Sequence, residues 1–129
     1  MSTLTMPRRP VTGLVSLGNL PPDLTKEGRV YAIAFDMDIE SLRLTYGDPY
    51  NNAYSEIRKV LEQHGFKWQQ GSVYFGGPEI NAVTCVLAAM DLAKTLPWFA
   101  ASVRDIRMMR IEELNDLMPA VQEAKLRSN

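Results

Sequence analysis

Val30-Tyr31-Ala32-Ile33-Ala34-Phe35, closed by Asp36 and Asp38, is the stretch on which the fold turns. Six consecutive apolar residues bounded by carboxylates read as a short buried strand rather than a helix, which would need a longer periodic run. Alternation puts Tyr31, Ile33 and Phe35 on one face and Val30, Ala32 and Ala34 on the other. Both faces are apolar, so the strand belongs in the middle of a sheet. Helices can cover one of those faces. The other predicts a second copy of the chain, hence a homodimer.

Upstream, residues 1–29 are rich in Pro, Gly, Thr and Ser and have no apolar period, so they read as a disordered extension. The folded domain is expected over 30–129. With 129 residues in all, the chain has room for one domain of ordinary size. Arg8 and Arg9 precede a segment broken by Pro10, Gly13, Gly18, Pro21 and Pro22, which denies it a signal-peptide core. No apolar run approaches the roughly 18 residues of a membrane span. One cysteine, Cys85, excludes an internal disulfide, and no zinc-type spacing of Cys and His is present. These features point to the cytoplasm. The formal net charge of −1 means that any site for a polyanion must be local.

Downstream, Asp48-Pro49 reads as a helix start, with Tyr50, Ala53, Tyr54, Ile57, Val60, Leu61 and His64 on one face and Gly65 as the stop. Phe66 to Gln70 and Ser72 to Phe75 are rich in aromatics, and they predict two strands joined near Gly71. From Ile80 to Leu96, Val83, Val86, Leu87, Met90 and Ala93 recur at helical spacing, with Thr84 and Asp91 on the opposite side. Pro97 ends that helix. Val103 to Glu112 predicts a last strand, followed by a short C-terminal helix from about Asn115. The order strand, helix, strand, strand, helix, strand is that of an α+β, ferredoxin-like two-layer sandwich with an antiparallel sheet.

Across residues 30 to about 119 stand the strings YAIAFDMD, YGDPYNNAYSEIRKVLEQHGF, WQQGSVYFG and WFAASVRDIRMMRIEE. In order and spacing they resemble the virulence-associated protein D (VapD) family of toxin-like endoribonucleases, which are related to the small CRISPR-associated nucleases. The resemblance implies a homodimeric RNA-cleaving enzyme, often encoded beside an antitoxin, which would be a further protein partner. Family members begin about where Val30 stands. Residues 1–29 therefore have no family counterpart, and a translation start assigned upstream of a GTG codon would account for them.

In a ferredoxin-like sheet the first strand lies between the third and fourth. The end of strand one, Asp36, should then meet Ser72 at the start of strand three and Arg104-Asp105 at the start of strand four. Asp36 and Asp105 could hold Mg2+ or Mn2+ by one or two oxygens, leaving room for water and a phosphate of RNA. Arg104 could grip that phosphate, Arg107 could add a second cation, and Ser72 could donate a hydrogen bond. The alternative is that Asp36 caps the next turn and pairs with Arg104. Asp38 reads better as the N-cap of a helix through Ile39, Leu42 and Leu44. Trp98 and Phe99 could stack on a splayed base, although core packing is the commoner role of such rings. His64 is the single histidine and sits at a helix C-terminus, a structural position. One histidine excludes two-histidine acid–base cleavage within a protomer. Carboxylates or a metal-bound hydroxide must then serve as base. Cys85 reads as packing.

Two other functions fit the same strand order. A non-catalytic RNA-binding module of the RRM type would use Tyr31, Phe35 and Tyr74 as a stacking platform, although the basic-Gly-aromatic signature is missing. A dimer that binds only protein is the third reading.

Overall fold

The computed structural model describes residues 30–127. The expectations for residues 1–29 lie outside the described residues. Strand β1 spans Val30–Met37, β2 Phe66–Gln70, β3 Val73–Gly76 and β4 Val103–Ile111. They form one antiparallel sheet in the order β2-β3-β1-β4, the ferredoxin-like arrangement. Helix α1 covers Ile39–Thr45, α2 Asn52–Gln63, α3 Ala82–Thr95, α4 Phe99–Ser102 and α5 Met118–Arg127. No helix among the described residues is long and apolar enough to cross a membrane.

Alternation along β1 sorts the core into two clusters. Ile33, Phe35 and Met37 pack with Leu42, Ala53, Ile57, Leu61, Ala88 and Leu92 from the helices. On the other face, Val30, Ala32 and Phe75 are buried with Val73, Ile111 and Leu114 against them. Leu114 comes from the chain after β4. Part of the second face is thus covered within the protomer, by a layer that apolar periodicity does not reveal.

Local signals explain the element ends. Asp38 caps α1, its carboxylate accepting from the Glu40 amide at 3.2 Å and from the Ser41 hydroxyl at 3.2 Å. Gly65, at φ +94°, ends α2 in a backbone conformation that a side chain would strain. Asn81 and Thr84 form a reciprocal capping box at the start of α3. Two expectations need correction. Helix α2 begins at Asn52 rather than on Asp48-Pro49, and Asp48 instead faces Arg43 of α1 at 3.8 Å. Helix α3 buries Cys85, Ala88 and Leu92, while Val83, Val86, Leu87 and Met90 are each more than half exposed. The inward face is thus the row Cys85, Ala88 and Leu92, spaced three and four residues apart.

Candidate active site

The site is the sheet end where β1 leaves and β4 begins. Cross-strand register sets Asp36 directly opposite Asp105 and Ala34 opposite Arg107. Phe35 points into the helix-side core, so Asp36, Asp105 and Arg107 share the face away from the helices. Residues opposed in this way have Cβ atoms about 4.5–5.5 Å apart, and like charges so placed repel. Two guanidinium groups offset that repulsion.

Arg104 owes its place to a bulge. Asp36 pairs with Asp105 but Met37 pairs with Val103, so β4 carries one extra residue there. That residue is Arg104. The bulge aims its guanidinium at Asp36, 3.6 Å away, and at Asp38, 4.0 Å away. Arg107 meets both carboxylate oxygens of Asp105, at 3.2 and 3.1 Å. All four side chains are largely exposed, where an ion pair contributes only about 0–1 kcal/mol. Stability does not account for this concentration of charge. Ser72 lies at the same end, its carbonyl accepting from the Phe35 amide at 3.1 Å. Tyr54 completes the neighbourhood from α2. Burial first, then Tyr50 and the charge of Asp36, push its phenol above the ordinary range.

The backbone around the bulge is held from beneath. The Asp38 amide donates to the Ser102 carbonyl at 2.8 Å, and the buried Ser102 hydroxyl donates to the Trp98 carbonyl at 2.7 Å. Trp98 and Phe99 are buried, Trp98 packing edge-on against Tyr46 at 5.0 Å between centroids. The structure thus places both rings in the core, where packing already covers the faces a base would need. Phe35 and Tyr74 stack on one another on the helix side of the sheet, 6.1 Å apart, and Tyr31 packs against the same core. The RRM-type platform is therefore corrected: its aromatics face the helices because β1 turns that face inward.

Asp38 acts as a cap, and His64 stands at the C-terminal end of α2. The His64 Nε2 lies 2.8 Å from Asp91 Oδ2, joining the end of α2 to α3. That hydrogen bond, with a second from Thr95, holds the Asp91 carboxyl below the usual carboxylate range. Cys85 is buried, and desolvation raises its thiol pKa, which makes it a poor nucleophile.

Among the described residues no three His, Cys, Asp or Glu side chains converge to enclose an ion. One protomer therefore offers a pair of carboxylates, Asp36 and Asp105. Magnesium commonly uses one or two carboxylates and fills its other places with water and phosphate oxygens, so this donor set fits it.

Sequence reasoning brought Asp36, Ser72, Arg104 and Asp105 to one place through strand adjacency. It missed the bulge, Tyr54, and Trp68 in the β2–β3 hairpin. The polar run Gln69-Gln70-Gly71 beside Trp68 is the signal that could have flagged an exposed ring.

This is a ferredoxin-like domain with an acidic and basic cluster at one end of its sheet, and the family described as CRISPR associated protein Cas2 matches residues 29–116. Within that class the chain belongs to the VapD family. It is 56% identical over 93 residues to the Endoribonuclease VapD homolog of Helicobacter pylori, a match covering 72% of this chain and 97% of the relative. It is 50% identical over 93 residues to Endoribonuclease VapD 2 of Riemerella anatipestifer, covering 71% and 99% respectively. Endoribonuclease VapD of Dichelobacter nodosus is 44% identical over 95 residues, covering 74% of this chain and all of the relative.

Proposed function

We infer that this chain is an endoribonuclease that cleaves phosphodiester bonds of RNA at the Asp36–Asp105 end of its sheet. The observation that carries the reading is the cross-strand pairing of two exposed carboxylates flanked by Arg104 and Arg107, in a chain whose relatives bear the name endoribonuclease. In this reading Arg104 and Arg107 release their carboxylates to bind phosphate oxygens and neutralise charge as it develops there. The freed carboxylate of Asp36 takes the proton of the attacking hydroxyl, which Asp105 holds in line; as that oxygen bonds to phosphorus the opposite P–O bond breaks, and the leaving ribose oxygen takes its proton from water. Ser72 donates a hydrogen bond to a phosphate oxygen. When bound to the carboxylate pair, magnesium or manganese would lower the pKa of a coordinated water and screen the phosphate.

The finer role we propose is that of a toxin in a prokaryotic toxin–antitoxin pair, working in the cytoplasm as a homodimer. The exposed apolar residues of α3 support a partner surface, and the family resemblance supports the toxin. Cleavage of a labelled RNA with added magnesium, compared between wild type and Asp36→Asn, tests the enzyme. Full activity of the variant would remove Asp36 from the mechanism. Light scattering that gives a monomer at micromolar concentration would remove the dimer, and growth unaffected by expression of the wild-type chain would remove the toxin.

A further inference from the structure

A recess of about 460 Å³ opens on the helix side of the sheet, between α2 and the β2–β3 hairpin. That volume lies toward the small end of the roughly 300–1,000 Å³ typical of small-molecule sites, enough for one nucleotide. Trp68, Arg58, Tyr54, Ser55 and Ser72 line it together with aromatic residues from β1 and β3. Resting on the ribonuclease reading above, we propose that this recess takes one unstacked base of the RNA substrate, against the Trp68 ring.

Three observations carry the assignment. The first is the state of Trp68. It is 38% exposed, whereas Trp98 is 9% exposed, and a large ring is not left in water for the sake of packing. Its orientation is nevertheless held. The indole N–H donates to the Gly71 carbonyl at 2.8 Å, and the Arg58 guanidinium lies 5.1 Å from the ring centroid, itself held by Glu62 at 3.0 Å. A ring already ordered in the free protein loses little entropy when a ligand stacks on it.

The second is the chemistry of the lining. Planar groups suit a planar heterocycle, and the hydroxyls of Tyr54, Ser55 and Ser72 offer donors and acceptors to its edge. Arg58 is the one charged residue of the lining, and Glu62 pairs with it, so the recess carries little unbalanced charge and suits a neutral heterocycle. The third is position. Ser72 belongs to the recess and hydrogen-bonds through its backbone to Phe35, the neighbour of Asp36. Ser72, which the ribonuclease reading assigns to a phosphate oxygen, thus links the recess on the helix side to the sheet end that carries the carboxylates on its other face.

The test uses the full chain and a fluorescently labelled single-stranded RNA with 2′-O-methyl groups, read by anisotropy, with cleavage of the unmodified RNA measured alongside. Trp68→Ala should weaken binding about tenfold, the scale of one lost stacking platform, while Trp68→Phe stays within about twofold of wild type. Ser55 is exposed on the rim, so Ser55→Tyr should fill the recess without entering the core and weaken binding by a similar factor. This second variant decides the matter if Trp68→Ala fails to fold. Unchanged affinity in Ser55→Tyr, or in a folded Trp68→Ala, with cleavage of RNA by wild type retained, would overturn the base site and leave the ribonuclease standing. Wild-type protein that neither binds nor cleaves RNA would overturn both. Binding of 5′-AMP in the recess, without binding of the oligonucleotide, would assign it to a free nucleotide and overturn the proposal.

Discussion

Residues 98–102 and residues 103–107 are consecutive in the chain and opposite in character. Trp98, Phe99 and Ser102 are buried, tied by the Ser102 hydroxyl to the Trp98 carbonyl and packed against Tyr46. Arg104, Asp105 and Arg107 are exposed and bound to one another and to Asp36 by ion pairs of little energetic weight. The difference shows a division of labour within ten residues. The first five hold the backbone in place, and the next five use that placement to set charges beside each other.

If the division is right, the largest effect comes from the buried half. Trp98→Ala should cost about 3–5 kcal/mol, the usual loss for a core aromatic. For a domain of this size that lowers the melting temperature by more than about 10 °C, measurable by circular dichroism. A smaller loss would mean that the segment does not brace the site.

The exposed half should show the reverse. Asp36→Asn should lower RNA cleavage at least about tenfold, near 1.4 kcal/mol of barrier, with the melting temperature unchanged. Asp105→Asn should behave alike. Equal losses of stability and activity in either variant would erase the contrast between the two halves.

Acid should separate the site from its support more gently. Because the folded Asp91 carboxyl titrates below its ordinary range, its bond to His64 contributes stability that is complete above about pH 4, the ordinary carboxylate value. The contribution disappears as pH falls through the lowered folded value. The gap in melting temperature between wild type and Asp91→Asn should therefore narrow as the pH falls below about 4. A gap that did not narrow at all below about pH 4 would mean that the variant acts through packing instead of charge.

Smallest of all should be the effect on folding of Trp68→Ala, whose ring is partly in water. A loss below about 1 kcal/mol in urea unfolding would fit a surface position. A loss like that of Trp98→Ala would make the two tryptophans equivalent and end the comparison.

Much of the fold and part of the site are legible in the order of the residues alone. The run from Val30 to Phe35 specifies a central strand, since an unbroken apolar stretch leaves neither face for solvent. Gly65 ends its helix and Asp38 caps another because such end signals depend on backbone groups a few residues away. Strand order then brings Asp36, Ser72 and Asp105 together, since adjacent antiparallel strands must join at matching ends. Other features depend on what lies across the space. Periodicity marks an apolar stripe on α3 without saying what covers it, and the sheet takes Cys85, Ala88 and Leu92 while leaving Val83 and Met90 outside. Trp68 and Trp98 both stand in short aromatic stretches, yet one lines an open recess and the other is enclosed by Tyr46 and Phe99. The extra residue that turns Arg104 toward Asp36 emerges only when β4 is laid beside β1. Local backbone chemistry is written in neighbouring residues, whereas exposure and register belong to pairs of elements, and only the folded chain brings those pairs together.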